Sequence, residues 1–269
     1  MIKRPPIPSL RPFVKLLWGA DEKRNQGLVA TRERLIPTGA MSLVFRVNDF
    51  PIRVYDSLVD ASGHRFDWGV VGGVRTGFYV KELCPHTTSI GALLEPGAAQ
   101  LLFGIPANEL AERHTAIEDL WGQDAIFLWE RMREAGDLGR QVELFEMFLA
   151  ERLPLVRGIH PAIAYALERL QYQDIGEIVS RTGYSHRHFL ALFRSAVGLP
   201  PRVYSRLLRF QRALGHLQRA PTPSWLDIAL EAGYADQAHF NREFREFTGL
   251  SPTQYRAAAT GDSHHVPVG

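Results

Sequence analysis

A single cysteine in 269 residues, Cys84, leaves no internal disulfide and no cysteine-rich zinc site. The simplest home for such a chain is a reducing cytoplasm. No apolar run approaches the roughly 18–20 residues of a membrane helix. Met1-Ile2-Lys3-Arg4-Pro5-Pro6 leads into prolines, not into the apolar core of a secretion signal. His64, His86 and His114 are scattered, with no H-x-H or H-x-x-x-H pair among them, so neither a metal nor a cofactor is expected. Lysine is missing altogether from residues 160–256, which carry twelve arginines against eight Asp and Glu. Residues 1–159 carry 19 positive and 20 negative side chains. The net charge of +2 therefore hides a near-neutral front and an arginine-only basic back. That division suits one domain for a ligand or partner and one for phosphates.

What is present in plenty is internal similarity. Gly183-Tyr184-Ser185-His186-Arg187-His188-Phe189 returns as Gly233-Tyr234-Ala235-Asp236-Gln237-Ala238-His239-Phe240. Phe193-Arg194 then matches Phe244-Arg245, Gly198-Leu199 matches Gly249-Leu250, and Pro201-x-x-Tyr204 matches Pro252-x-x-Tyr255. Each copy reads as two helices across a glycine turn, the helix-turn-helix arrangement that presents its second helix to a DNA groove. Asp174 and Ser224 head the first helices, Gly183 and Gly233 end them in a positive-φ turn, and Ser185 and Asp236 cap the second helices.

The second helices must divide their faces. Phe240, Phe244 and Phe247 fall on one stripe, which is the buried one. Gln237, Asn241 and Arg245 follow on another, with Ala238 and Arg242 beside it. Gln and Asn can pair bidentately with adenine, and Arg with guanine or phosphate. In the earlier copy Phe189, Leu192 and Phe193 are the buried set, and His186, Arg187, Leu190, Ala191 and Arg194 face outward. Leu190 and Ala191 suit thymine methyls or sugar there, and Arg187 is the main reader. Between the copies, Pro200–Arg219 carries Val203, Leu207, Phe210, Leu214 and Leu217 in one seam, with Pro221 and Pro223 marking its end. Such a helix is about 30 Å long, close to the roughly 34 Å of one DNA turn. It can hold two readers in successive major grooves. Arg202, Arg206, Arg209 and Arg212 lie along it, for phosphate contact or for plain solvent exposure.

The front half reads differently. Leu43–Val47, Ile52–Tyr55 and Gly77–Val80 are rich in branched and aromatic residues, with Pro37-Thr38-Gly39, Asn48-Asp49, Ser62-Gly63 and Gly72-Gly73 as breakers between strands. A small β-barrel or sandwich is expected over residues 13–95. Helical patterns follow near 98, 107–113, 123–135 and 139–153, the last with Val142, Phe145, Phe148 and Leu149 at helical spacing. That pair can pack on the β-domain or form a dimer interface. Trp18, Trp68, Phe78 and Tyr79 are candidates to line a small-molecule pocket, against the plainer reading that they are core. Glu82, Cys84 and His86 alternate, so on a strand they would share one face, as a metal or thiol site or as ordinary exposed polar residues.

The helix order, Gly-Tyr-x-Asp-Gln-x-His-Phe at 233–240, and the run from Phe244 through Gly249-Leu250, Pro252 and Tyr255 to Arg256 resemble the AraC/XylS family of transcriptional regulators over residues 160–256. The resemblance implies a DNA-binding domain of seven helices, preceded by a domain that often binds an effector or dimerises. Arg34-Leu35-Ile36-Pro37-Thr38-Gly39, Pro96-Gly97-Ala98-Ala99 and Leu120-Trp121-Gly122 are similar to an uncharacterised N-terminal domain in one branch of that family, which names no ligand.

The expectation is thus an α+β chain: an effector-binding or dimerisation domain at 1–155, a double helix-turn-helix domain at 160–258 and a disordered tail at 259–269. Double-stranded DNA is the expected partner, with RNA polymerase, a small-molecule effector and a second copy as further partners the family allows. The competing readings are a DNA-targeted enzyme or thiol sensor. Leu83-Cys84-Pro85-His86 has the wrong order for the Pro-Cys-His nucleophile of an alkyl-transfer enzyme.

Overall fold

The computed structural model describes residues 1–21, 31–219, 224–259 and 263–268. Two antiparallel sheets form the front half. One runs β1 (Ile2–Arg4), β2 (Val14–Asp21), β9 (Thr88–Leu94), β4 (Ser42–Arg46), β7 (Gly69–Gly72), β10 (His114–Ala116). The other runs β11 (His265–Pro267), β3 (Arg32–Leu35), β8 (Tyr79–Glu82), β5 (Ile52–Tyr55), β6 (His64–Phe66). The fold is α+β, with a sandwich in place of a closed barrel.

Strand alternation divides the six-stranded sheet cleanly. Leu16, Trp18 and Ala20 of β2 face the opposing sheet, while Leu17 and Gly19 face the helices. The helices on that side are α1 (Ala99–Phe103), α2 (Ala107–Leu110), α3 (Ile117–Trp121), α4 (Gln123–Glu134) and α5 (Leu138–Arg152). Helix α5 sits directly on the sheet: a Cβ at Gly19 would come within 2.9 Å of Val142, and Phe145 meets Phe45 edge-on at 5.5 Å. Of the two roles the sequence leaves open for this helix, packing on the sheet is the one seen.

Seven helices follow: α6 (Pro161–Arg169), α7 (Ile175–Thr182), α8 (His186–Val197), α9 (Pro201–Arg219), α10 (Trp225–Ala232), α11 (Gln237–Thr248) and α12 (Pro252–Ala258). The long α9 buries Tyr204, Leu207, Phe210, Ala213 and Leu214. Val203 and Leu217, expected in the same seam, are only half-buried because the stripe drifts toward Tyr204 and Ala213. Pro221 and Pro223 lie outside the described residues.

Two findings depart from expectation. Residues 263–268, expected to be disordered, return to the front half. There β11 pairs with the edge of β3, Val266 is fully buried, and the Tyr255 hydroxyl donates to the Ser263 carbonyl at 2.6 Å. A short polar segment of this kind carries no signal of its own, since its order comes from a non-local edge. The second departure is Phe78. It packs not in a pocket but on Gly249, the left-handed residue (φ 70°) that ends α11. Gly198, which ends α8 at φ 95°, is met in the same way: a Cβ there would lie 2.6 Å from Val74 and 3.1 Å from the Ala107 carbonyl.

At Gly249 both the backbone angle and the close approach of Phe78 exclude a side chain. Gly249→Ala should lower unfolding stability by about 1–3 kcal/mol, measured by denaturant titration. Adding Phe78→Ala should recover the part due to overlap and leave the part due to φ. Additive losses in the double mutant would contradict the contact.

Candidate nucleic-acid interface

The two motifs are built alike from local chemistry. In the first, the Asp174 carboxylate accepts from Gly176 N at 2.7 Å to start α7, Gly183 ends it at φ 75°, and the Ser185 hydroxyl accepts from His188 N to start α8. In the second, Ser224 accepts from Asp227 N, Gly233 turns at φ 89°, and Asp236 accepts from His239 N at 2.7 Å to start α11. Phe189 and Phe193 of α8 and Phe240, Phe244 and Phe247 of α11 are essentially inaccessible. Each contributes about 1.5–3 kcal/mol of burial. Phe210 of α9 stacks on Phe247 at 4.7 Å and meets Phe244 edge-on at 5.5 Å, so one aromatic cluster fixes α11 against the spacer.

The opposite faces are the expected readers. His186, Arg187, Ala191 and Arg194 are exposed on α8, with Leu190 half-buried. On α11, Ala238, Arg242 and Arg245 are exposed, and Gln237 and Asn241 are half-buried. Among the described residues, none of the polar side chains in this set makes a hydrogen bond, ion pair or ring contact. Their donors and acceptors are available to a groove.

The arginines away from those faces are used internally. Arg206 donates to Glu243 and Glu246, both at 2.6 Å, and Arg209 to Glu243 at 3.0 Å. Glu243 is 4% exposed on the inner side of α11. Burial pushes its carboxyl up, but the hydrogen bonds and charges of Arg206 and Arg209 outweigh that and hold it below the usual range. Arg212 lies over Tyr172 and beside Gly233. Arg206 and Arg209 are thus engaged within the chain, where they clamp α9 to α11. Arg202 remains exposed with no partner among the described residues, and so does Arg181, which the sequence does not single out.

Between the two sheets of the front half lies a cavity of about 740 Å³. Of the four aromatic residues expected to line a pocket, Trp18 and Tyr79 are on its wall. Trp68 is not: it stacks between Phe45 (5.9 Å) and Trp129 (5.4 Å) on the helix side of the sheet. Phe78 points to Gly249 instead, as described above. Aromatic identity does not tell the faces of a strand apart, so two of the four fall elsewhere.

A helix-turn-helix domain matches residues 178–258, and a domain of unknown function (DUF6597) matches residues 2–116. YkgA of Escherichia coli (strain K12), named as an HTH-type transcriptional regulator, is 40% identical over 83 residues, 31% of this chain and 34% of YkgA. The transcriptional activator AarP of Providencia stuartii is 33% identical over 88 residues, 33% of this chain and 64% of AarP. PqrA of Proteus vulgaris, a probable transcription factor by name, is 32% identical over 99 residues, 37% of this chain and 80% of PqrA. The chain belongs to the AraC family of transcriptional regulators. It spans only a third of YkgA and under two thirds of AarP. An apo ToxT variant from Vibrio cholerae aligns with this chain at 12% identity and a TM-score of 0.48, over 96% of this chain and 100% of that one.

In this AraC-family chain the alternation of Glu82, Cys84 and His86 does not continue as a strand. β8 ends at Glu82, which pairs with Arg53 at 3.7 Å, and His86 turns at φ 61° in a loop. Among the described residues no group of three or more His, Cys, Asp or Glu is arranged to hold a metal, and no helix is long and apolar enough to cross a membrane.

Glu243→Ala would leave Arg206 and Arg209 without their shared carboxylate. It should cost about 1–3 kcal/mol of stability, read by thermal or denaturant unfolding. Arg206→Ala should leave the salt slope of DNA binding unchanged, because a residue committed to Glu243 and Glu246 releases no counterion from phosphate. A slope reduced by about one unit would return Arg206 to the phosphate contacts.

Proposed function

We propose that the chain is a sequence-specific regulator of transcription. Helices α8 and α11 enter successive major grooves of double-stranded DNA, and a small molecule in the sandwich cavity modulates that binding. The observation that carries this reading is the division of labour among the polar side chains. Those on the two outward faces have no partner among the described residues, while Arg206, Arg209 and Arg212 beside them are engaged. A face that keeps Gln237, Asn241, Arg242 and Arg245 together without internal partners is suited to base edges and phosphates. The spacer supports it too, since α9 spans nearly one helical turn of DNA. In this reading the chain acts by binding, not by catalysis, and works in the cytoplasm.

Selection of bound fragments from a randomised DNA pool tests the proposal. The full chain should enrich a motif with two half-sites about one turn apart. Asn241→Ala/Arg242→Ala should weaken binding by about 1–3 kcal/mol for each side chain truncated and relax preference within one half-site only. Equal protection of unrelated sequences by the unmodified chain would sink the base-reading role and leave general DNA binding.

A further inference from the structure

The cavity between the sheets has an apolar body and one polar end, and the register of the strands builds that end. Ser42 of β4 and His114 of β10 are both cross-strand partners of Gly72 in β7, so the three stand in one row on the same face of the sheet. Gly72 contributes no side chain. A Cβ there would come within 2.7 Å of Ser42 Oγ and 3.5 Å of His114 Nε2. The row is therefore a notch in the cavity floor, flanked by a hydroxyl and an imidazole.

Across the notch, Tyr79 of β8 meets His114 edge-on at 4.5 Å, and Arg75 lies over the Tyr79 ring at 5.2 Å. Arg75 donates through Nη2 to His114 Nδ1 at 3.1 Å. An arginine can only donate, so Nδ1 is the acceptor and the proton of a neutral His114 sits on Nε2, which faces the notch. Burial first, and then the Arg75 charge, push the His114 pKa down to about 3, so the ring is neutral at physiological pH. Burial likewise keeps the Tyr79 hydroxyl protonated. Neither that hydroxyl nor Ser42 Oγ has a hydrogen-bond partner among the described residues. Arg75 also reaches the exposed Asp56 at 3.3 Å, while its Nε is buried without a partner.

Three neutral donors thus converge beside a guanidinium whose Nη atoms reach Asp56 and His114 and whose Nε has no acceptor among the described residues. On the wall, the carboxylate of Glu33 is already engaged, pairing with Lys81 and His265 at 2.8 Å. The rest of the wall is largely apolar, including Leu16, Trp18, Val44, Ile52, Val54 and Leu93. A cavity of this size suits a compact organic molecule.

We propose that the cavity binds a small apolar carboxylic acid, its carboxylate at Ser42, Arg75, Tyr79 and His114, and that occupancy reaches α11 through Phe78. The route is one strand thick. Tyr79 lines the cavity, and its chain neighbour Phe78 packs on Gly249 at the end of α11. The proposal deepens the modulation suggested above and takes its DNA readout from that reading. The binding half needs no DNA at all.

Calorimetry on the full chain, with cinnamate, octanoate and cyclohexanecarboxylate each beside its amide, tests the site. At least one acid should bind about tenfold or more tightly than its amide, the ratio expected for losing a charge-assisted hydrogen bond. Arg75→Met should remove that preference, and the conservative Tyr79→Phe should weaken the acid while leaving the unfolding midpoint close to that of the parent. Amides that bind as well as acids, or no binding by any member of the panel, would overturn the site.

DNA titration with and without the best acid tests the route. The acid should shift DNA affinity in the parent and leave it unmoved in Phe78→Ala, which keeps the cavity lining intact. An equal shift in both proteins would overturn transmission through Phe78. Failure to enrich any DNA motif without acid, alongside intact acid binding, would count against the regulator reading and leave the site standing.

Discussion

A Cβ at Gly249 would overlap the ring of Phe78, and one at Gly198 would press on Val74 and the Ala107 carbonyl. Both glycines end recognition helices in the left-handed conformation. The same two residues thus stop the proposed reader helices and admit the β-domain against them. A helix C-terminus closed by an ordinary residue would lose the turn and the close approach together. These two points constrain the placement of α8 and α11 against the sandwich, alongside the pairing of β11 with β3. Elsewhere the domains meet through longer side chains, such as Gln211, which donates to the Pro37 carbonyl and meets His264 at 2.9 Å. Such side chains can shift by rotation; a ring against a backbone has no such freedom.

The electrostatics are arranged around the same helices. Residues 160–256 hold an excess of only four positive charges, modest for a chain meant to meet phosphates. Arg206 and Arg209 are balanced by Glu243 and Glu246 at the α9–α11 contact, so their charge does not project. What remains outward is concentrated at Arg187, Arg194, Arg242 and Arg245, with Arg181 and Arg202 at the margins. The internal pairs thus confine the unbalanced positive charge to the outward faces, where phosphates could meet it. The clamp has a mechanical side as well. Glu243 lies on the inner face of a helix whose outer face carries Asn241 and Arg242, so the ion pairs fix the rotation of the reader about its own axis.

The second half of the chain was legible because its rules are local. Ser185 and Asp236 cap helices within three residues of themselves, Gly183 and Gly233 turn where the repeat puts them, and the Phe240–Phe244–Phe247 stripe follows from helical period alone. The front half was legible only as a class. Val44, Ile52 and Val54 announce strands, but period-2 alternation does not say which side meets a cavity and which a neighbouring domain, and so Trp68 and Phe78 could not be told from Trp18 and Tyr79. The clamp at Glu243 was hidden because its partners lie 34 and 37 positions away on another helix. The strand at 265–267 was hidden most deeply. Its order depends on an edge more than two hundred positions earlier, and three residues with one buried valine carry no period of their own.

That last strand also changes what the five-stranded sheet is. With β11 on the edge of β3, one face of the sheet presents His265, Glu33 and Tyr79 to the cavity. The other presents Val266, Val80 and Arg34, and Arg34 lies over the Phe78 ring at 5.7 Å. The wall between cavity and DNA-binding helices is a single layer of backbone, and every residue along it points to one compartment or the other. Displacing Tyr79 cannot be absorbed by its own rotation, because His114 abuts the ring edge-on and Arg75 lies over it. Displacing the backbone of β8 instead carries Phe78 with it, since adjacent residues share a peptide plane. Phe78 in turn has a glycine beneath it and no side chain to yield. The positions that exclude a side chain on one side of the wall and rotation on the other are what make it stiff enough to relate the two compartments.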